Sequence, residues 1–267
     1  MNIERISSRQ NALVRQFREA AEGKAVGRVL LDGEHLIEEA LASEIAIEVA
    51  AFGERLTESA LARRLRPLTR TVIVSESVLN AISPVQSPSG AVAIAMRPHT
   101  DAANVFTRTP SLVLLLHDVQ DPGNVGAIVR AAEGCGATGV ICGERTADPF
   151  GWKALRGSMG SALRVPLPIR QSLDAAVTLA REKGLRIYAA TARGGTPLPD
   201  CNLRMPAAIL LGGEGGGLPE SLSDLADERI TIPMRRPVES LNVAIAAALV
   251  LYEAARQRHS DRVHVAL

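Results

Sequence analysis

The sequence is poor in lysine, aromatic residues and cysteine, and each shortage narrows what the protein can be. Only three of its 30 basic residues are lysines, so nearly all its cationic side chains are arginines. Basic residues outnumber the 29 acidic ones by one, which excludes a protein that coats nucleic acid through bulk positive charge. Aromatic residues make up 3% of the chain, which argues against a base-stacking surface for single-stranded RNA.

The cysteines and the apolar runs point to an intracellular protein outside the membrane. Cys135, Cys142 and Cys201 are an odd number without C-x-x-C spacing, so we predict no metal site, no disulfide framework and a reducing compartment. The N-terminus is charged and polar and carries no signal-peptide core. The longest apolar run, Val243–Tyr252, has 10 residues, whereas a membrane span needs ~20. We therefore expect a cytoplasmic location and no membrane partner.

Hydrophobic periodicity divides the chain into two α/β parts. Residues 1–97 alternate short helices and strands and predict a small N-terminal domain. Residues 98–110 are polar, lack periodicity and end in proline, so we interpret them as a linker. In residues 111–267, short apolar strands alternate with helices, which predicts a parallel sheet covered on both faces. Ligands of such sheets bind beyond the carboxyl ends of strands, which here are Leu116, Ala190, Leu211 and Ile232.

Two local predictions concern the second part. Arg164–Leu167 is expected to form a short strand. A long final helix is expected over Leu241–Gln257, with Ser240 as its N-cap. Asn242 would then lie inside the helix, where asparagine is unfavourable, and this mildly favours a role for it beyond capping.

Two glycine-rich segments need different interpretations. Gly134–Gly139 matches G-x-G-x-x-G, but it lies between a helix and a strand, the reverse of the dinucleotide-binding order. We interpret it as a helix end and turn, which argues against a nucleotide-dependent oxidoreductase. Gly212–Gly217 follows the buried strand Ala207–Leu211 and places five glycines around Glu214. A flexible connection is the alternative, but backbone exposed in this way suits close approach to a ligand.

Three ordered segments resemble the motifs of the SpoU/TrmH family, the S-adenosylmethionine-dependent RNA ribose 2′-O-methyltransferases of the SPOUT superfamily. They are Asn124–Arg130, then Leu211–Gly217, then Ile232–Met234 with Glu239–Val243. Arg156–Ser161 is similar to the family's small-residue segment between the first two motifs. In the N-terminal part, Asp32–Leu41 and Gln86–Gly90 resemble stretches of the family's ribosomal-protein-like RNA-binding domain.

The resemblance implies a fold, a cofactor and a set of site residues. The fold would be a deep trefoil knot, an exception to the rule that chains are unknotted, in a protein that works as a homodimer. The cofactor S-adenosylmethionine would be bound by Thr191, Leu211, Gly212, Gly213, Gly217, Ile232, Met234 and Leu241. The catalytic set would be Asn124, Arg130, Glu214, Ser240 and Asn242. The chain departs from many relatives by having glycine at positions 213 and 216.

The general base for the ribose hydroxyl stays open at this point. The three motifs contain no histidine, and we interpret the nearest ones, His35 and His117, as structural. The resemblance points to Arg130, either as the base together with a substrate phosphate or as an anchor for that phosphate. An arginine has a pKa above ~12, so the anchor is the physically safer role. Taken alone, Arg130 reads as an ordinary surface arginine.

The substrate is expected to be RNA. Arginine clusters suggest RNA contacts at Arg9, Arg15, Arg63 and Arg64, although a solvated helix face explains these clusters equally well. The N-terminal domain favours ribosomal RNA by analogy with the family. A tRNA methyltransferase and a non-catalytic RNA-binding protein of the same fold remain as alternatives.

Overall fold

A computed structural model describes residues 3–258 of the chain. Its contacts divide the chain into two compact units, residues 1–98 with 150–164 and residues 99–149 with 165–267. The sequence did not predict that residues 150–164 group with the first unit. The boundaries at 97 and 111 stay predictions, and residues 259–267 of the predicted second domain lie outside the described residues.

The helices and strands of the described chain have the following bounds. The strands are β1 (Glu4–Ile6), β2 (Arg28–Asp32), β3 (Ile47–Gly53), β4 (Arg70–Val74), β5 (Ala91–Met96), β6 (Leu112–His117), β7 (Gly139–Cys142), β8 (Arg186–Ala190), β9 (Thr196–Pro197), β10 (Ala207–Gly212) and β11 (Glu228–Thr231). The helices are α1 (Ala12–Ala21), α2 (Glu34–Ala42), α3 (Ala60–Leu65), α4 (Glu76–Ile82), α5 (Pro122–Gly134), α6 (Trp152–Ser158), α7 (Leu173–Glu182), α8 (Glu220–Ser223) and α9 (Val243–Arg258).

The first unit is built on a mixed sheet of strand order β1-β4-β3-β5-β2. Strands β1, β4 and β3 are parallel, whereas β5 pairs antiparallel with both β3 and β2. Helix α1 begins where the Asn11 side chain accepts the Leu13 amide at 2.9 Å, and it buries one apolar face that includes Phe17. The predicted small N-terminal α/β fold is therefore observed.

The segment of residues 150–164 is fixed inside the first unit by polar contacts. The Asp32 side chain is 1% exposed, and Arg156 Nη1 lies 3.4 Å from its Oδ1. Ser83 Oγ donates a hydrogen bond of 2.5 Å to the other oxygen, Oδ2. Arg164 forms an ion pair with Glu39. A buried carboxylate needs such partners, so these contacts hold helix α6 against the strand that carries Asp32.

The second unit contains a parallel sheet of strand order β7-β6-β10-β8-β11-β9. All of its strand pairs are parallel, and strands β6 and β10 are apolar and buried along nearly their whole length. This confirms the predicted parallel sheet, since strands covered on both faces carry continuous apolar runs. The trefoil knot stays a prediction.

The last turn of α9 is tied to the beginnings of two neighbouring strands. The Arg258 guanidinium donates to the carbonyls of Leu203 and Met205, at 2.7 and 2.6 Å, just before β10. It also donates to Pro110 and Ser111, at 3.2 and 3.3 Å, just before β6. Loss of hydration lowers the pKa of Arg258. One side chain therefore joins the end of α9 to the entry of both central strands.

The strand prediction for one irregular segment is wrong. Arg164–Leu167 is not a strand, because Pro166 and the following Pro168 have no N–H to donate. Their carbonyls still accept the amides of Val140 and Cys142, at 3.0 and 2.9 Å, so this segment runs beside edge strand β7 without a full ladder.

The predicted linker is also partly folded. It contains a 3₁₀ turn over Ala102–Phe106, and Val105 is fully buried. Thr138 Oγ1 donates to the Val105 carbonyl at 2.8 Å, which ties the turn to the approach to β7. The glycines from Gly134 to Gly139 form a helix end and turn, as predicted, with Gly136 at a φ of 76°.

The lengths of the helices and the state of the cysteines are two further features of the described residues. Among the described residues, no helix combines the length and apolar character that crossing a membrane requires. Cys135, Cys142 and Cys201 form no disulfide bond with one another.

The Arg258 contacts predict a large difference between two arginines of the same helical turn. Arg258→Ala removes the donor to four carbonyls, two of them in part-buried bonds, and we expect it to lower the free energy of unfolding by about 1–3 kcal/mol. Arg256→Ala is the control: Arg256 is exposed and pairs only with Glu253, which keeps its hydrogen bond from Gln257, so the expected loss is below about 1 kcal/mol. Urea denaturation followed by circular dichroism measures both, and equal losses would contradict this role for Arg258.

Candidate active site

A cavity of about 580 Å³ lies where the loops after three strands meet. The strands are β10, β8 and β11, which are neighbours in that order in the parallel sheet. Loops that leave the carboxyl ends of adjacent parallel strands form the usual ligand crevice of an open α/β sheet. The volume is within the range of sites for small organic molecules. The cavity is therefore the candidate site of the second unit.

All eight residues proposed for cofactor binding line this one cavity. They come from four separate stretches of the sequence, and they are Thr191, Leu211, Gly212, Gly213, Gly217, Ile232, Met234 and Leu241. Glu214, Ser240 and Asn242 of the proposed catalytic set line it as well. The structure thus brings these residues together, while their individual roles remain predictions.

The sequence reasoning missed the apolar wall of the cavity. Leu198 comes from a short 3₁₀ turn, whereas Val243, Ala246 and Val250 come from α9. The three α9 residues are spaced three and four apart, so helical periodicity could have placed them on one face. No signal in the sequence indicates Leu198, which reaches the cavity only through the path of the chain after β8.

The glycine loop after β10 is shaped by backbone contacts that exclude side chains. A Cβ on Gly212 would lie 2.1 Å from the carbonyl carbon of Gly217, and a Cβ on Gly213 would lie 1.8 Å from the Asp118 oxygen. The Gly213 amide donates to the His117 carbonyl at 2.7 Å, and the Gly217 amide donates back to Gly213 at 3.2 Å. The loop therefore folds on itself and against the end of β6, which only glycine permits at these two positions.

The two departures from the family pattern differ in physical meaning. Glycine is required at position 213 by the Asp118 backbone. At Gly216, by contrast, a Cβ would have no described atom within 4 Å, so this position has room for a side chain. The glycine at 213 is a packing requirement of this chain, whereas the glycine at 216 is not.

Three polar side chains from the three motifs form one hydrogen-bond network. Asn124 Nδ2 donates to Glu214 Oε1 at 2.6 Å. Asn242 Nδ2 donates to the same oxygen at 3.1 Å and to Asn124 Oδ1 at 3.0 Å. Because Glu214 belongs to the glycine loop and Asn242 to the start of α9, the network links two of the segments that line the cavity.

The local structure explains why these side chains are available. Asp121 caps α5 by accepting the Asn124 amide at 2.9 Å, so the Asn124 side chain is free to reach Glu214. Asn242 Oδ1 accepts the amides of Ala244 and Ile245, at 2.9 and 3.3 Å. Asn242 therefore caps α9 with its oxygen and joins the network with its amide nitrogen.

The prediction that Ser240 caps the final helix is wrong. Helix α9 begins at Val243, and the capping oxygen is that of Asn242, two residues after Ser240. Asparagine and serine are similarly good N-caps, so the sequence alone did not decide between them. Ser240 is exposed and lines the cavity.

Arg130 lies apart from this network. It is exposed on α5, six residues after Asn124, and it does not line the cavity. No ion pair or hydrogen bond joins its side chain to any residue in the range 3–258. An exposed guanidinium on the helix that carries Asn124 is available to an external anion.

The four arginines proposed for RNA binding differ in whether another described residue already pairs with their side chains. Arg9 donates to the Ser77 carbonyl at 3.0 Å, Arg15 pairs with Glu19, and Arg63 pairs with Glu58. Arg64 is exposed and has no such partner within the described chain. Arg64 is thus the most available of the four, and RNA binding by all of them stays a prediction.

The two parts of the chain match two known families. Residues 111–252 match the SpoU rRNA Methylase family, and residues 13–93 match the MRM3-like substrate binding domain. These ranges cover the second unit's sheet and most of the N-terminal α/β fold, respectively.

Similar proteins cover nearly the whole chain. An uncharacterized tRNA/rRNA methyltransferase of Synechocystis is 35% identical over 96% of this chain and 95% of its own length. The 23S rRNA (guanosine(2553)-2′-O)-methyltransferase RlmP of Bacillus subtilis is 31% identical, over 94% of this chain and 98% of its own.

Solved structures agree with these relatives. The SpoU methyltransferase AviRb of Streptomyces viridochromogenes, in complex with its cofactor AdoMet, aligns with a TM-score of 0.86 and 27% identity over 95% of this chain and all of its own. An AdoMet-bound rRNA methyltransferase of Sinorhizobium meliloti gives 0.85 and 27% identity over 95% of this chain and 98% of its own. The chain belongs to the SpoU rRNA methylase family.

Proposed function

We propose that this protein transfers the methyl group of S-adenosylmethionine to a ribose 2′-hydroxyl of ribosomal RNA. The observation that carries the proposal is the Asn124–Glu214–Asn242 network, which joins two of the segments that line a ligand-sized cavity. A non-catalytic protein of the same fold has no need to keep polar side chains from three motifs bonded to one another beside such a cavity.

The cavity fits S-adenosylmethionine in charge and in surface. The cofactor supplies, when bound, a methyl group on a positively charged sulfonium. Of the described residues that line the cavity, Glu214 is the only charged one, so the lining carries a negative charge that complements a cation. Leu198, Met234 and Val250 give an apolar wall, and the loop of Gly212–Gly217 exposes backbone groups for hydrogen bonds.

The polar groups are suited to hold the ribose in place. Glu214 uses Oε1 for both amide donors, and its Oε2 has no hydrogen-bond partner within residues 3–258. That oxygen is available to accept from a ribose hydroxyl. Ser240 is exposed at the same cavity and can donate or accept. Orientation of the hydroxyl by these groups lowers the entropic cost of the reaction.

Arg130 acts, in this proposal, as the anchor of a substrate phosphate. Its exposure and its lack of a described partner favour an external anion. A guanidinium carries only N–H donors and no acceptor, so it binds phosphate well and is a poor proton acceptor. Phosphate binding on α5 would place the RNA beside Asn124, which belongs to the same helix.

Ribosomal RNA is the proposed substrate because the relative of Bacillus subtilis that spans nearly the whole chain acts on 23S rRNA. The match of residues 13–93 to a substrate-binding domain supports an RNA-binding role for the first unit. A 23S rRNA guanosine is therefore the first nucleotide to examine. Because the relatives are bacterial, a protein of this kind that acts on ribosomal RNA would do so in the cytoplasm, and we propose that location.

A homodimer is proposed from the exposed face of α9. Ile245, Leu249 and Tyr252 are 53, 41 and 59% exposed and are spaced four and three apart, so they form one apolar stripe. Contiguous exposed apolar surface marks an interaction site, and a twofold dimer is the commonest assembly of soluble proteins. A second copy of this chain is the proposed partner of the stripe.

Methyl transfer tests the function directly. We expect the protein to transfer labelled methyl from S-adenosylmethionine to unmodified 23S rRNA, with mass spectrometry locating a 2′-O-methylated nucleotide. Arg130→Ala should lower transfer at least about 100-fold, because the RNA loses its anchor, while cofactor affinity stays within about twofold. Arg204→Ala, an exposed arginine elsewhere, is the control. If only tRNA is labelled, tRNA and not ribosomal RNA is the substrate. If no RNA is labelled, the proposed methyl transfer to RNA is wrong.

Cofactor binding should distinguish two glycines of the same loop. Gly213→Ala forces a Cβ into the Asp118 carbonyl, so we expect S-adenosylmethionine affinity to fall at least about tenfold, or 1.4 kcal/mol. Gly216→Ala adds the same methyl group where no described protein atom lies within 4 Å, so its loss of affinity should be clearly smaller than that of Gly213→Ala. Calorimetric titration measures both. Equal affinities for the two variants would show that the backbone contact does not shape the cofactor site.

The dimer proposal predicts the effect of a charge on the α9 stripe. Leu249→Arg places a cation in the middle of the apolar contact and should give a monomer in size-exclusion chromatography with light scattering. Leu68→Arg changes an equally apolar residue that is 69% exposed in the first unit, and it should leave the mass unchanged. A monomeric wild type, or a dimer that survives Leu249→Arg, would exclude this interface.

A further inference from the structure

A second cavity, of about 620 Å³, lies next to the cofactor cavity and shares with it part of the loop that follows β11. It is formed by two loops, residues 192–193 after β8 and residues 231–239 after β11. Ala192, Thr231, Ile232 and Met234 line both this cavity and the cofactor cavity. Ile232 and Met234 therefore contribute to the lining of both cavities.

The two cavities differ in charge. The cofactor cavity has Glu214 as its charged lining residue, whereas the second cavity has two arginines, Arg193 and Arg236, and one acid, Glu239. The second lining thus carries a net positive charge. A cationic cofactor and an anionic group would each have a complementary cavity, and the two cavities share part of one loop.

The two arginines of the second cavity differ in whether another side chain already pairs with them. Arg193 Nη2 lies 2.7 Å from Glu239 Oε1, in an ion pair with both side chains well exposed. Arg236 is exposed and makes no ion pair or hydrogen bond to the part of the chain that the structure describes. A guanidinium has five N–H donors, so Arg193 keeps donors beyond the one that Glu239 uses. Arg236 is the main free cation of the cavity, and Arg193 is a second.

The loop that lines the second cavity leads directly to Asn242 at the start of α9. Glu239 directly precedes Ser240 and lies three residues before Asn242, the residue that caps α9 and joins the polar network. Thr231 Oγ1 donates to the Ala192 carbonyl at 3.3 Å, and the Val238 amide closes a turn onto Arg235 at 3.2 Å. The loop that presents Arg236 is therefore held at both of its sides, next to the residues that face the ribose.

We propose that the second cavity binds a phosphodiester group of the RNA, with Arg236 as the principal ligand and Arg193 as the second. The inference rests on the proposed methyl transfer to RNA, and it assigns to this cavity the backbone of a nucleotide near the one that is methylated. Arginine suits this group because its planar donors match two phosphate oxygens. Glu239 holds Arg193 and opposes the anion, so it limits the affinity of the cavity.

Salt-dependent RNA binding tests the proposal. Each phosphate contact made by an arginine contributes about 0.7–0.9 to the slope of log affinity against log salt concentration. Arg236→Ala should therefore reduce the slope by about that amount for an unmodified 23S rRNA transcript, and lower affinity about fivefold or more at 0.1 M KCl. Affinity for S-adenosylmethionine should stay within about twofold, because Arg236 does not line the cofactor cavity.

Two matched variants separate the cavity from general charge. Arg235→Ala removes the neighbouring arginine, which is exposed but does not line the cavity, and should leave the slope unchanged. Glu239→Gln removes the opposing charge and should tighten RNA binding, a direction that partial unfolding does not produce. An unchanged slope for Arg236→Ala, an equal effect of Arg235→Ala, or weaker RNA binding by Glu239→Gln would each overturn the proposal.

The outcome is distinguishable from failure of the proposed function. Binding slopes are measured with the full chain and need no methyl transfer. If wild type transfers methyl groups and the Arg236→Ala slope is unchanged, the cavity assignment alone is wrong. If wild type binds the transcript with the expected Arg236 dependence and transfers nothing, the phosphate site stands and the enzymatic proposal fails.

Discussion

The active site depends on one close contact between two backbone segments. At the end of β10, Gly213 lies against the carbonyl of Asp118, at a distance that leaves no space for a Cβ. Its amide is bonded to His117 at the end of β6, so the loop after β10 leaves the sheet at a fixed place. Because the loop begins there, Glu214 reaches Asn124 on α5 and Asn242 at the start of α9. Cavity and polar network are both consequences of that contact.

The same arrangement separates opposite charges over a short stretch of chain. Glu214 lines the cavity that suits a sulfonium, whereas Arg236 lines the neighbouring cavity, which shares Ile232 and Met234 with the first. A protein with a net charge of +1 has no general field that attracts RNA, so local placement of arginines must do this. The abundance of arginine over lysine is consistent with such placement, since arginine binds phosphate with defined geometry.

The sequence predicted the elements that periodicity controls and missed those that depend on distant contacts. The apolar strands β6 and β10, and the parallel sheet they belong to, follow from continuous hydrophobic runs between helices. Residues 150–164 group with the first unit because Arg156 contacts Asp32, which lies 124 positions away in the sequence. No local sequence pattern predicts a contact over that separation. The helix start was misplaced because serine and asparagine cap equally well.

For the site, the motifs predicted which residues lie together, but they say less about the role of each residue. The eight residues proposed for the cofactor all line one cavity because they occupy loops after neighbouring parallel strands. Arg130, predicted from the same motifs, lies outside that cavity. The second cavity was not predicted, because its lining depends on which face of the Ile232–Met234 loop each side chain takes.

Helix α9 connects the stability of the fold to the geometry of the site. At its first turn, Asn242 caps the helix with Oδ1 and donates from Nδ2 to Glu214 and Asn124. At its last turn, Gln257 and Arg258 bind the segment that leads into β10, the strand from which the glycine loop leaves. A helix bound at both ends to the approach and the exit of one strand cannot shift along its axis without breaking bonds at one of them. The position of the Asn242 amide relative to Glu214 is therefore set by the fold before any substrate arrives, which is the preorganisation that alignment of reacting groups requires.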